Sequence, residues 1–380
     1  MIKGAEYIIK KLNENGHKAY LVGGCVRDII MNNIPLDYDI TTSATPYEVI
    51  SLFPHTIPTG LKHGTVTVNE NGNFFEVTTF RIDGEYENFR KPKNVKYSSS
   101  LLDDIKRRDF TINAIAYHKD SGYIDYFNGI NDIKNKIIRT VNDPYDRISE
   151  DALRILRAIR FSSRFDFIIE ENTLTAIKKL MHLTLNISKE RIFDELNKMF
   201  LTNPYSAVLM LYETGFFDIY KIPVYKEKIK YLKNLKIKRF ETVFAIILKD
   251  SDVLKDIKCS NKIKSNIKKI RESFSYSLDD ETSIKKMLYN LKCQDIIDLI
   301  FDTHIVCGLA KNDIYKIYEE IEKNKECYLL SHLAINGNDL INLGIKKEEI
   351  SKVLDYLLNL VISDNSLNKK EILIKKIQTL

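Results

Sequence analysis

The residues that interrupt regular structure are unevenly spread along this chain: six of the eight prolines and ten of the fourteen glycines lie before residue 150. Glycine permits left-handed backbone and proline stops helices and strand ladders. The first part therefore needs turns, and the rest can run as nearly continuous helix. Before residue 150, "KAYLVGG" reads as a strand ending in glycines and "VRDIIMNN" as the start of a helix. "LDYDITT" reads as a second, buried strand flanked by Ile34, Leu36 and Ile40, and "ATPYEVISLF" as a helix opened by Thr45 and Pro46. "GTVTVNENGNFFEVTTF" predicts a hairpin: Val66 and Val68 alternate, Asn71-Gly72 turns, and Phe75 and Val77 alternate back. From about Asp143 onward only helical periods of three and four appear. The expected fold class is α+β, a mixed sheet domain followed by an all-helical region.

At 380 residues the chain exceeds what one hydrophobic core usually serves, so two or more domains are expected. No run of roughly eighteen apolar residues occurs, which argues against a membrane-spanning helix. The start, "MIKGAEYIIKKLNENGH", reads as an amphipathic helix without a signal-peptide core or cleavage site. Five scattered cysteines (Cys25, Cys259, Cys293, Cys307, Cys327) form no C-x-x-C pair. That pattern points to reduced thiols, a cytoplasmic location and no structural zinc. A net charge of +6 permits a nucleic-acid partner without demanding one. The lysine-rich stretch 226–240 reads as a solvated helix face rather than a phosphate-tracking surface.

Asp37 and Asp39 stand two apart in the second strand. Side chains at that spacing share a face, and two carboxylates so close repel unless a proton or a cation lies between them. Just upstream, Gly23 and Gly24 follow a strand and precede a helix, where backbone N–H groups can approach an anion. Arg27, in the first turn of that helix, can fork onto phosphate oxygens. One element thus cradles a polyphosphate and the next holds divalent metal against it. Mg²⁺ suits such a site, since it takes one or two carboxylates together with substrate phosphates and water. Two such ions can activate an attacking hydroxyl and neutralise a leaving pyrophosphate. Glu76, between the core-facing Phe75 and Val77, is either a third acid of that site or an edge-strand acid facing water. In "KRRDFTINAIAY" (106–117), Arg108 can reach a triphosphate, and Asp109 and Asn113 can bond a ribose hydroxyl. The same spacing also fits an amphipathic segment with a charged start.

The stretch "SEDALRILRAIRF" (149–161) carries more. On one helix, Ala152, Ile155, Leu156 and Ile159 make an apolar stripe, while Asp151, Arg154, Arg157 and Arg160 step around the opposite arc. Asp151 and Arg154 would then be i, i+3 neighbours, either as an ordinary surface ion pair or as readers of a base. Cytosine and adenine both offer an exocyclic amine beside an acceptor ring nitrogen. An accepting Asp and a donating Arg fit either base and reject uracil or guanine. Arg157 and Arg160 remain for phosphate or for packing on a base.

Taken together, "LVGGCVRD", "LDYDI", "DG…FRKP" (83–92), "RRDFTINA" and "EDALRILRAIR" resemble the bacterial class II CCA-adding tRNA nucleotidyltransferases. These are grouped with bacterial poly(A) polymerases in the polymerase-beta-like superfamily. The motif order matches over residues 20–165, and the likeness returns in "LAINGNDLINLGIKKEEISKVLDYLLNLV". The resemblance implies a nucleotidyltransferase head (1–140), a neck for nucleobase recognition and RNA binding (141–205), a helical body (206–330) and a tRNA-binding tail (331–380). It implies that Asp37 and Asp39 bind two catalytic Mg²⁺ ions, with Glu76 as third acid, and that Gly24, Arg27 and Arg108 hold the triphosphate. Asp151 and Arg154 would pair with CTP or ATP, helped by Arg157 and Arg160. The 3′-hydroxyl of tRNA would attack the α-phosphate and release pyrophosphate, with no membrane and no protein partner implied. Cys25 where alanine is usual, and "KKEEI" where a Gly-Pro turn is common, depart from the pattern. No His-Asp dyad of the phosphohydrolase kind is found, so no phosphatase activity is expected. Asp83 and Arg90, in the long segment 81–100, imply a flexible loop and so the capacity to add A. An A-adding-only enzyme keeps the same motifs, and a catalytically inactive RNA-binding module is the alternative from another class. Intact Asp37 and Asp39 argue against the inactive module.

Overall fold

The computed structural model describes residues 2–84, 86, 87, 91, 92, 95–250 and 258–378. Arg90 lies outside the described residues, as do the side chains of Asp83, Tyr86, Glu87, Lys91, Pro92 and Val95. Two compact units divide the chain, Met1–Ile222 and Pro223–Leu380.

The first unit is built on a seven-stranded sheet: β1 (Ala19–Val22), β2 (Asp39–Thr42), β3 (Thr56–Gly60), β4 (Thr65–Glu70), β5 (Asn73–Thr79), β6 (Ile115–His118) and β7 (Gly122–Asp125). Their order is β7-β6-β1-β2-β5-β4-β3, with β2 and β5 parallel and the other neighbours antiparallel. Helices α1 (Ile2–Glu14), α2 (Gly24–Ile30), α3 (Pro46–Leu52), α4 (Leu101–Lys106) and α5 (Gly129–Lys134) connect and cover it. Phe75, Phe80 and Phe110 are fully buried in this unit, with Ile8 and Leu12 of α1. The β4–β5 hairpin forms as expected. Asn71 and Gly72 both take positive φ, 51° and 78°, as a two-residue turn matched to strand twist requires. Along β5, Phe75 and Val77 are buried and Glu76 is exposed, the period-2 alternation read from the sequence. The Thr45 cap and Pro46 open α3 through a capping box with Glu48.

Two expectations need correction. The second strand begins at Asp39, not before Asp37, and Ile34 and Leu36 are 90% and 85% exposed rather than buried flanks. Pro35 and Tyr38, three apart, are the residues that turn inward, so the apolar pattern belongs to a loop and not to a strand. Regular structure after Asp143 is also not purely helical: Ile168–Ile169 pairs in parallel with Ile137–Ile138.

Beyond the sheet, α6 (Pro144–Glu150), α7 (Leu153–Phe165), α8 (Glu171–Leu180), α9 (Lys189–Thr202), α10 (Pro204–Glu213) and α11 (Phe216–Ile219) complete the first unit, with α7 packed on α9 and α10. Among the described residues, the regular structure of the second unit is helical apart from one isolated bridge, Val224 to Leu248. Residues 226–234 of the lysine-rich stretch form a 3₁₀ helix that buries Ile229 and Leu232 and leaves Lys226, Lys230 and Lys233 exposed. All five cysteines are free thiols. Among the described residues, no helix is long and apolar enough to cross a membrane.

Candidate active site

The end of β1, the start of β2 and the segment after α4 converge at Gly23. Its backbone, φ 77° and ψ −133°, is open to glycine and costly for other residues. A Cβ there would lie 2.9 Å from an Arg108 guanidinium nitrogen and 3.6 Å from Asp39 Oδ2. The turn is therefore closed against the site by geometry and by contact. At Gly24 a Cβ would sit 3.6 Å from an Arg27 guanidinium nitrogen.

Asp39 is directly opposite Glu76 in the parallel register of β2 and β5. Burial pushes the Asp39 carboxyl up to about 6; Arg108 pulls it down, and Asp37 and Glu76 push it up again. Those influences place Asp37 and Glu76 each within electrostatic reach of Asp39, although Asp37 precedes the strand and is exposed. Among the described residues, none of the three carboxylates has an ion pair or a side-chain hydrogen bond. Among the described residues, no group of three or more His, Cys, Asp or Glu is placed to hold a metal ion by itself. An open set of unpartnered carboxylates, one raised chiefly by its own burial, suits Mg²⁺, which keeps water and takes phosphate oxygens from its substrate.

Arg108 is held from behind. Its Nη2 lies 3.2 Å from Asp104 Oδ2, and the fully buried Asp104 also accepts two bonds from Arg107, at 2.6 and 2.9 Å. The Thr41 hydroxyl, 3.0 Å away, ties the same carboxylate to β2. Burial alone would raise the Asp104 carboxyl, but Arg108 and Arg107 hold it below the usual range.

Arg27, Asn113 and Asp109 form a buried chain that ends on the partly exposed Arg157. Arg27 donates to Asn113 Oδ1 at 2.6 Å, the Asn113 amide donates to Asp109 Oδ1 at 3.1 Å, and Arg157 forks onto Asp109 Oδ2 at 2.5 and 2.8 Å. Arg27 also bonds Asp28 and lies over the rings of Phe161 and Phe165, at 5.5 and 4.6 Å from their centroids. Burial would raise Asp109, yet Arg157 and Asn113 bring it down to about 2. The amphipathic segment with exposed charges is thus replaced by a satisfied interior network.

The single-helix reading of 149–161 is also corrected. Helix α6 ends at Glu150, Asp151 is extended (φ −139°, ψ 101°), and α7 starts at Leu153. Asp151 accepts the Leu153 N–H at 3.1 Å and pairs with Arg191 at 3.3 Å. Arg154 and Arg160, expected on a polar arc, are 7% and 9% exposed. Arg154 donates to Glu150 at 2.6 Å and to the carbonyls of Arg147 and Arg107 at 2.6 and 3.2 Å. Arg160 pairs with Glu195 at 2.6 Å. Asp151 and Arg154 still flank the start of α7, held by different partners.

Sequence reasoning missed Asp104, Glu150, Arg191 and Glu195. Helix spacing could have exposed two of them: Asp104 stands three and four residues before Arg107 and Arg108, and Glu150 four before Arg154. Arg191 and Glu195 meet their partners only through the fold.

This head domain, with carboxylates on adjacent parallel strands beside a glycine turn, is that of a nucleotidyltransferase. Residues 19–139 match the poly A polymerase head domain, 166–225 the family described as "Probable RNA and SrmB-binding site of polymerase A", and 241–377 tRNA nucleotidyltransferase domain 2. The CCA-adding enzyme of Ligilactobacillus salivarius is 36% identical, covering all of this chain and 96% of its own. That of Oceanobacillus iheyensis is 36% identical over 97% of this chain and 95% of its own. The crystal structure of the Bacillus stearothermophilus CCA-adding enzyme in complex with CTP superposes with a TM-score of 0.82 at 30% identity, covering 100% and 98% of the two chains. The chain belongs to the CCA-adding enzymes.

Proposed function

We propose that this protein adds CCA to the 3′ end of tRNA from CTP and ATP without a nucleic-acid template, acting in the cytoplasm. The observation that carries the reading is the juxtaposition of Asp39 with Glu76, Gly23 and Arg108 in a family member alike over its whole length. Asp37 and Asp39 would hold two Mg²⁺ ions, with Glu76 as the third acid. Bound there, the ions would activate the tRNA 3′-hydroxyl and neutralise the departing pyrophosphate. Gly23 and Gly24 let backbone approach the triphosphate, and Arg108 supplies its charge. Arg27, Asp109 and Asn113 form the buried scaffold behind that turn, and Arg27 has N–H donors beyond the three that bond Asp28 and Asn113. Asp151 offers an acceptor and Arg154 donors, the complement of the edge shared by cytosine and adenine. Reading a base would replace part of their bonding to Arg191 and Glu150. Arg157 and Arg160 fix α7, and Asp83 and Arg90 belong to the loop that admits A addition. The division into head, neck, body and tail at residues 140, 205 and 330 is kept as part of this proposal.

The test is Asp37→Ala. Magnesium-dependent pyrophosphate release in the presence of tRNA and CTP should be lost, while tRNA affinity by filter binding and thermal stability stay within about twofold and about 2 °C of wild type. Undiminished release by this variant would remove Asp37 from the chemistry.

A further inference from the structure

Asp104 is the least accessible acid near the site and no motif reading uses it. It carries one negative charge and touches two guanidinium groups, Arg107 and Arg108. Its Oδ2 also lies by the hydroxyl of Thr41, which shares a face of β2 with Asp39. The cluster therefore lies over the sheet face that bears Asp39 and leaves one positive charge uncompensated. Arg108 is the member that reaches forward: one terminal nitrogen approaches Gly23, and its Nε is buried with no hydrogen-bond partner among the described residues. A phosphate oxygen at the Gly23 turn would accept from that terminal nitrogen, Nη1, while Nη2 stays on Asp104, a charge-assisted bond.

We infer that Asp104 is the positioning residue for Arg108. Pinned to β2 by Thr41, it holds the guanidinium at the glycine turn, aimed at substrate phosphate, and keeps it from closing onto Asp39. This rests on the proposed function for the identity of the substrate, but not for the geometry. Asp104 acts through Arg108 and does not itself touch nucleotide.

The experiment is a double-mutant cycle of Asp104→Asn and Arg108→Gln in the full chain. Calorimetry reads the Kd for inorganic tripolyphosphate, and kinetics read KM separately for CTP and tRNA. Asp104→Asn should raise the tripolyphosphate Kd and the CTP KM about tenfold, the scale of one charge-assisted hydrogen bond, and leave the tRNA KM unchanged. In the Arg108→Gln background the same change should add less than about twofold, because the residue it positions is gone. Equal effects in both backgrounds, or no effect with Arg108 present, would overturn the inference. If Asn at 104 lowers thermal stability too far to measure, Thr41→Val takes its place. It removes the hydroxyl that lies 3.0 Å from the carboxylate and 3.2 Å from the Thr78 carbonyl, and should weaken tripolyphosphate binding several-fold with Arg108 present and not without it. A wild-type protein that binds tripolyphosphate with this coupling yet extends no tRNA would uphold the inference and refute the activity.

Discussion

Replacing Asp39 with Asn should make the metal-free protein more stable at neutral pH while abolishing transfer. The carboxyl sits half-buried beside Asp37 and Glu76, and its native pKa is raised from 3.8 to about 6. At about 1.4 kcal/mol per pH unit, that displacement corresponds to about 3 kcal/mol withheld from the native state when Asp39 is ionised. Solvent remaining around the carboxylate trims the expectation to about 2 kcal/mol. Because the native value lies above the unfolded one, the penalty is absent below about pH 3.8, grows as pH rises toward 6 and is complete above it. Urea denaturation of wild type and Asp39→Asn in EDTA, from pH 4 to pH 8, reads this directly. The stability gap should open with pH and plateau near neutrality, with Asn the more stable. Added Mg²⁺ should stabilise wild type and narrow the gap. A gap that is flat with pH, or an Asn variant less stable at pH 8, would refute the account of Asp39 as an acid whose ionised form burial penalises.

Gly129→Ala should cost about 3 kcal/mol or more in stability, measured by thermal or urea denaturation, because a Cβ there would meet the Thr111 carbonyl oxygen at 2.1 Å. The backbone it strikes begins the turn that carries Asn113, so any folded protein should also lose nucleotide affinity. In the second unit, the Ser273 hydroxyl donates to the Ile270 carbonyl at 2.6 Å and so accepts from His304 Nε2 at 3.0 Å, leaving Nδ1 buried without a partner among the described residues. Burial depresses His304 from 6.5 to about 4, so its neutral form is the native one. Stability should fall by up to about 3 kcal/mol as pH drops from 6.5 toward 4, and His304→Phe should flatten that slope in a pH series of denaturation curves.

The features legible in the sequence share one property: their signal is local. The Asn71-Gly72 hairpin follows from strand alternation and turn chemistry, and the start of α3 from Thr45 and Pro46. The exposure of Ile34 and Leu36 was not legible, since a loop that buries Pro35 and Tyr38 imitates the pattern of a buried strand. The Asp151–Arg154 spacing misled because an apolar stripe of helical period continues across a break. An Asp just before a helix is itself a start signal, and Asp151 does accept the Leu153 N–H. Arg157 and Arg160 looked available for nucleic acid because their partners, Asp109 and Glu195, lie 48 and 35 residues away. Charge on a helix face reads as solvated unless the fold brings a counter-charge to it.

The most direct test is single-nucleotide-resolution extension of three tRNAs that lack the last three, two or one nucleotides of their 3′ ends. Each is incubated with Mg²⁺ and CTP, ATP or both. The account predicts completion of CCA on all three with both nucleotides, C addition alone with CTP, and a single A on the tRNA already ending in CC. Extension of only that last tRNA, by ATP alone, would contradict CCA addition, and no extension of any would contradict transfer altogether.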